Sequence, residues 1–447
     1  MRHSLGAESV FEQGMRLCKA GLYEEAIAYF DRAIHQRPDW YVLWYERGKA
    51  FMHAGAITEA ITSFKEVLAI REDFEPAWNH LGKTLAAQGR YEEAITSYDR
   101  ALAFNRHSYK TWYNRGNALM RLNAMEDAIH SYEQTLQLRP DYAEAWYNRA
   151  IAQTHLGQLQ AALSSYESAL KFRPHFSNAH YNAGNLFQRL GQYEEALTKY
   201  NRVLEIKSNL PQVWFNRANV LRKLGFQEEA LESYDRALAL DAQMADVWYN
   251  RGKTLEALYQ PEAAIASYTR ALELAPTLAE AWYVQGCLQQ RLGHFEAAVQ
   301  DFDQAIANRQ DFSVAWTARG NALQKLGRYD EAIASFDQAL AIDANLLETW
   351  YRRGRALDYL NRNEAAIESY NKVLELDPEC DKAWYGRGVS LSHLGDHQAA
   401  LFNFDQALRI NPHFIDAESR RRITLNQLRA VGNLDSLPEP LIRSGCD

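Results

Sequence analysis

Apolar residues along this chain recur at helical spacing, and the helical pattern itself recurs. In each stretch a large ring is followed four and seven positions later by small or aliphatic residues, which puts all three on one face of a 3.6-residue helix. The ring is tryptophan at Trp44, Trp78, Trp112, Trp146, Trp214, Trp248, Trp282, Trp316, Trp350 and Trp384, always on a register of 34, and His180 stands in the one vacant place. Extended backward the register reaches Val10, and forward Glu418. Twelve units of 34 residues therefore run from 7 to 414 without an insertion or deletion. A period of this length indicates a stack of like units, not the roughly three domains that 447 residues would otherwise suggest.

Positions are numbered 1–34 within a unit, with the tryptophan at 4. Position 20 is alanine throughout, from Ala26 and Ala60 to Ala400; position 24 is always Phe or Tyr; position 8 is Gly or Ala, as at Gly48, Gly116 and Ala150. A small residue one turn after the ring lets a second helix approach, and the alanine at 20 supplies the matching groove. Glycine or asparagine at 15 in most units (Gly21, Gly89, Asn123, Gly191) ends the first helix, A. Proline at 32 in half the units, such as Pro38 and Pro140, stops the second, B. Pro211 and Pro261 fall at positions 1 and 17, helix starts where a missing N–H is tolerated.

This combination resembles the tetratricopeptide repeat family over about nine-tenths of the chain. The resemblance implies an all-α solenoid: antiparallel hairpins stacked into a right-handed superhelix with a concave groove. The expected layout is a lead-in over 1–6, twelve units over 7–414, a capping helix over 415–431 and a flexible tail over 432–447 containing Pro438 and Pro440. Glu418, Arg420, Arg421 and Arg422 predict a polar outer face for the cap.

Position 7 is arginine in eight units (Arg47, Arg115, Arg149, Arg217, Arg251, Arg319, Arg353, Arg387), and Arg421 continues the series. Sixteen residues before each, at position 25 of the preceding helix B, stands an acceptor: Asp31, Asp99, Glu133, Asn201, Asp235, Asp303, Asp337, Asn371 and Asp405. Where position 25 is Lys65 or Thr269, the arginine is replaced by Leu81 or Gln285. The pattern predicts charge-assisted bonds that stitch helix B to the next helix A, in preference to an anion-binding ladder.

Positions 2, 6, 9 and 13 point away from the packed face, and the family resemblance places them on the groove wall. Asparagine fills position 6 in five successive units (Asn114, Asn148, Asn182, Asn216, Asn250), and position 9 adds Asn117, Asn185, Asn219 and Lys253. Position 13 is mostly basic, with Arg121, His155, Arg189 and Lys223. Asparagine carries a donor and an acceptor, so a column of them could pair with an extended peptide backbone, and the basic row would favour an acidic partner segment. The column resembles the asparagine ladder of the O-linked N-acetylglucosamine transferase family, whose repeats work with a separate catalytic domain. The aromatic residues at position 5, such as Tyr113 and Tyr147, are expected to pack against a neighbouring helix. The carboxylate clamp by which some family members grip chaperone tails does not transfer, because position 5 holds mostly Tyr or Phe where the clamp needs lysine.

Composition then narrows the function classes. A net charge of −8, spread along the chain, argues against general nucleic-acid or membrane-surface affinity. A helical-repeat RNA reader is the alternative that the basic row keeps open, beside a substrate-recognition superhelix serving a separate glycosyltransferase. No spanning stretch or secretory signal is visible, and Cys18, Cys287, Cys380 and Cys446 follow no zinc-like spacing, which fits a reduced, cytoplasmic setting. No phosphate-loop, nucleophile-elbow or zinc-protease string occurs, so neither catalysis nor a cofactor or metal is expected. The reading is a non-catalytic protein-interaction scaffold, resembling bacterial assembly factors.

Overall fold

The computed structural model describes residues 6–430, and every regular element among them is an α-helix. The expected tail over 432–447, with Cys446, lies outside the described residues. The chain divides into two compact units, 1–224 and 225–447. The first holds six helical hairpins and the helix Pro211–Leu224; the second opens on Gln227–Leu240, continues through five hairpins and ends on Ile415–Ala430. Helix A of each hairpin occupies positions 1–13 and helix B positions 17–30, as in Ala7–Lys19 and Tyr23–Gln36. Within each unit every helix packs on the one before and the one after, and successive A helices also touch. Each unit is an all-α solenoid of the kind the repeat predicts.

The turn inside each hairpin depends on position 15, which takes a positive φ in every case: nine glycines, Asn123, Asn361 and Tyr259 at +57°. That conformation closes the helix end, as where Leu22 N–H reaches back to the Leu17 carbonyl at 3.0 Å. Tyr259 departs from the glycine-or-asparagine rule, and its ring stands 92% exposed.

Inside the hairpin, the ring at 24 lies directly on position 8. A Cβ placed on Gly116 would fall 2.6 Å from the Tyr132 ring, and one on Gly48 would fall 2.7 Å from Phe64. The alanine at 20 is fully buried in every hairpin. Between hairpins, the tryptophan acts as a latch: its indole N–H donates to the carbonyl six residues earlier, at 2.8–3.2 Å in all ten cases. His180 makes the same contact through Nε2 to the Pro174 carbonyl at 2.9 Å, so it stands in for an indole.

In ten of its twelve occurrences the linker from B to the next A has one of two solutions that the sequence pattern did not predict. Where position 31 is Arg37, Arg71, Arg139, Arg173 or Arg309, position 34 is aromatic and the guanidinium lies over its ring at 3.4–5.7 Å. Where position 31 is Asn105, Asp241, Asp343, Asp377 or Asn411, its side chain accepts the N–H two residues on, at 2.9–3.3 Å.

The arginines at position 7 bond the position-25 partners that the spacing predicts. The distances are 2.6 Å for Arg47–Asp31, Arg319–Asp303, Arg353–Asp337 and Arg387–Asn371. They are 2.7–2.8 Å for Arg115–Asp99, Arg251–Asp235 and Arg217–Asn201. Arg149 is looser, 4.0 Å from Glu133, and Arg421 bonds Asp405 as the series predicts. In the last helix Glu418 and Arg422 are exposed, as is Ile423 at 47%.

In seven hairpins the guanidinium does more than the spacing predicts. It also donates to position 23 of its own hairpin: Ser63, Ser131, Ser165, Ser267, Ser335 and Ser369 at 2.7–3.1 Å, and Asn403 at 2.8 Å. It further lies over the position-4 indole at 4.5–6.0 Å. One side chain thus joins three helices. The hairpin at 279–308 departs from this arrangement. There Gln285 accepts from Thr269 at 3.3 Å and donates to a buried Asp301 at 3.0 Å, whose second oxygen has no partner.

These nodes can be tested by substitution. Arg319→Ala should lower stability by about 1–3 kcal/mol, because Asp303 and the buried Ser335 lose a charged donor. The Arg319→Ala/Asp303→Ala pair should cost less than the sum of the single changes in denaturant titrations; additivity would show that the pair does not interact. At Asp301, burial pushes the carboxyl up to about 6, with the Gln285 hydrogen bond opposing the shift. A folded-state value above the unfolded one means that its stabilising contribution is present in acid and fades as pH rises through about 6. Asp301→Ser should therefore raise stability by about 1–3 kcal/mol at pH 8 and by about half as much at pH 5. A pH-independent effect would rule out the carboxylate as the cause.

Candidate functional site

In the unit 1–224, the asparagine and basic rows sit on successive A helices: Tyr109–Arg121, Ala143–His155, Ser177–Arg189 and Pro211–Leu224. The two rows differ in environment. Arg121, His155, Arg189 and Lys223 are exposed, and none of them pairs with an acid among the described residues. The asparagines are half-buried, because position 6 lies against the A helix of the hairpin before it.

That packing commits their amide donors. Asn148 donates through Nδ2 to Tyr113 Oη at 3.1 Å and to Asn117 Oδ1 at 2.9 Å, both on the previous helix A. Asn216 repeats the arrangement with Tyr181 Oη at 3.3 Å and Asn185 Oδ1 at 3.1 Å. Asn182 reaches Tyr147 Oη at 3.0 Å, and Asn114 reaches Asn79 Oδ1 at 3.1 Å. The position-9 oxygens take a second donor from below: Tyr132 Oη to Asn117 at 2.8 Å and Tyr200 Oη to Asn185 at 2.7 Å. Burial pushes both tyrosine hydroxyls well above the ordinary phenol value, so they remain donors.

Positions 5, 6, 9 and 24 therefore form one lattice. It ties successive hairpins together on the side that faces away from the tryptophan latch. The asparagines therefore do not stand free on the groove wall: both N–H donors of Asn148 and Asn216, and one each of Asn114 and Asn182, are spent within the protein. The side-chain oxygens of Asn114, Asn148 and Asn182 accept from no group among the described residues, so acceptors are what the row offers. The position-5 rings also contact aromatic neighbours, as Tyr147 does with Phe176 at 4.8 Å and Tyr113 with Tyr142 at 4.9 Å.

In the unit 225–447 the same positions serve other ends. Asn250 donates to the Asp246 carbonyl of its own helix at 2.8 Å, and Lys253 lies over the Tyr249 ring at 5.3 Å. The basic position 13 is neutralised at Arg291, which pairs with Glu256 at 2.5 Å, and Glu256 also accepts from Tyr268 Oη at 3.0 Å. Asp358 is a similar bridge between hairpins, taking Tyr370 Oη at 2.6 Å and Ser390 Oγ at 2.5 Å, with burial raising its carboxyl above the usual range.

Family models described as tetratricopeptide repeat match residues 11–74, 113–175, 245–278, 279–312, 313–346 and 351–413. One described as TPR repeat matches 82–123, 184–225 and 218–258. The chain belongs to the tetratricopeptide repeat family. No curated protein matches it. Among solved structures, YrrB, described as a TPR protein with an unusual peptide-binding site, is 24% identical over 43% of this chain and 99% of its own, with a TM-score of 0.40. The C-terminal part of a TPR repeat-containing protein from Cytophaga hutchinsonii is 19% identical over 54% of this chain and 98% of its own, at 0.48. Yeast Tom70 is 14% identical over 95% and 96%, at 0.35.

The tetratricopeptide fold is an interaction scaffold, and no helix among the described residues is long and apolar enough to cross a membrane. Its inner lattice is incomplete at one tetratricopeptide. Asn321 holds the place of Asn117 and Asn185, yet the facing ring is Phe336, which has no hydroxyl, and the buried Asn321 Oδ1 is without a partner. Phe336→Tyr should supply the missing donor and raise the denaturation midpoint, by about 1 kcal/mol in stability. A loss would mean that the oxygen is satisfied in another way.

Proposed function

We propose that this protein is a non-catalytic interaction scaffold that holds an extended, acidic partner segment along the A helices of residues 109–224. The observation that carries the reading is the row Arg121, His155, Arg189 and Lys223, exposed and without acidic partners on four successive helices. Beside it, the free oxygens of Asn114, Asn148 and Asn182 offer acceptors at the same repeat as the hairpins. A segment laid across these helices would donate backbone N–H groups to the oxygens and turn its carboxylates toward the basic row. Because the lattice already fixes the asparagine side chains, little rotamer freedom is lost on binding. A basic row on a chain of net charge −8 favours an acidic peptide over a nucleic acid, whose phosphates would meet repulsion elsewhere.

The test is binding of a labelled peptide that alternates glutamate and glycine, followed by anisotropy at low and high salt. The wild type should bind it, bind its lysine counterpart far more weakly, and lose affinity as salt rises. Arg121→Glu/Arg189→Glu/Lys223→Glu should weaken binding at least about tenfold. Thermal stability should barely move, since exposed changes usually fall within about 0.5 kcal/mol. Unchanged affinity in the triple variant, or equal binding of the two peptides, would refute the reading, as would tighter binding of single-stranded RNA than of the acidic peptide.

A further inference from the structure

His180 replaces the tryptophan of ten other hairpins, and the exchange leaves space. Its Nε2 occupies the place of the indole nitrogen, bonding Pro174 O at 2.9 Å as the indoles bond their own loop carbonyls. With that nitrogen superposed, the imidazole edge carrying Nδ1 and Cε1 coincides with the bond along which indole fuses its second ring. His180 lines a hollow of about 470 Å³ that is open to solvent. Leu170, Ile206 and Pro174 give it apolar walls, and His175, Arg202 and Glu205 form the rim. His180 is itself 8% exposed, and its Nδ1 has no hydrogen-bond partner.

The chemistry of the site follows from the ring. Burial holds the imidazole below its ordinary value, hence neutral. Because Nε2–H is given to the Pro174 carbonyl, Nδ1 keeps its lone pair and is an acceptor. An unpaired buried acceptor beside an apolar hollow calls for a ligand that is flat, apolar and carries one donor. Arg202, now paired with Glu205 at 2.6 Å, is placed to cover an aromatic face.

We propose that this hairpin carries a binding site for an aromatic ring bearing an N–H or O–H donor, an indole or phenol group, seated in the hollow beside His180 and bonded to its Nδ1. The ring could arrive as a free small molecule or as the side chain of a partner, and the recognising chemistry is the same.

Isothermal titration of the full chain with indole tests it, together with the NMR signals of the His180 ring. Saturable binding is expected, with a shift at Nδ1. Benzofuran, the same shape without the donor, should bind at least about tenfold more weakly. His180→Trp fills the hollow and should abolish binding while raising the melting temperature, which separates loss of the site from loss of the fold. N-acetyltryptophanamide distinguishes the sources: binding as tight as indole's identifies a partner side chain, whereas exclusion of the amide with retention of indole identifies a free ligand. Absence of saturable indole binding, equal binding to the His180→Trp variant, or equal affinity for benzofuran would each overturn the proposal.

Discussion

The close seat of the position-24 ring on the glycine or alanine at position 8 sets the spacing of helices A and B, and everything else depends on that spacing. With no Cβ at Gly116 or Gly48, the two backbones come near enough for a Tyr or Phe ring to fill the interior, and the alanine at 20 keeps helix B equally close. Because every hairpin has this geometry and the same 34-residue length, any side chain that reaches its neighbour once can do so at each step. The indole latch, the arginine node and the asparagine lattice are three uses of that regularity, and each spans a different side of the joint between hairpins.

The arginine node shows how far spacing alone can be read. An arginine 16 residues after an acid or asparagine, nine times over, carried enough information to name each partner on the preceding helix B, because a strict repeat brings the same two positions together at every joint. The second partner, a serine 16 residues ahead, was missed. A serine on a helix is ordinarily satisfied by its own backbone, and Ser63 and Ser131 do bond the carbonyl four residues back as well. The signal was present in the co-occurrence of Ser63, Ser131, Ser165 and Ser335 with arginine, and in Asp301 opposite Gln285, where the exchange of both members leaves a buried carboxylate short of a donor.

The asparagine row was located correctly on the A helices, but its environment was not legible. Asparagine at positions 6 and 9 reads as exposed from hydropathy. Only the packing of successive A helices reveals that Tyr113 and Asn117 reach Asn148 and that its donors are consumed. The basic residues at position 13 lie two turns further on, beyond that contact, and remain in solvent. The surface therefore combines a rigid polar floor with a free charged margin. The two tetratricopeptide stretches differ in this respect. Arg121 and Arg189 are unpaired in the first, whereas Arg291 in the second is held by Glu256.

The central claim is that what repeats holds the hairpins together and what varies on the A helices takes hold of a partner. Hydrogen–deuterium exchange of the full chain, with and without a bound acidic peptide, tests it most directly. The account predicts slower exchange in the A helices Tyr109–Arg121, Ala143–His155, Ser177–Arg189 and Pro211–Leu224, with Met125–Leu138, Leu159–Phe172 and Tyr193–Ile206 unchanged. Protection centred on those B helices instead, or confined to residues 225–430, would contradict it.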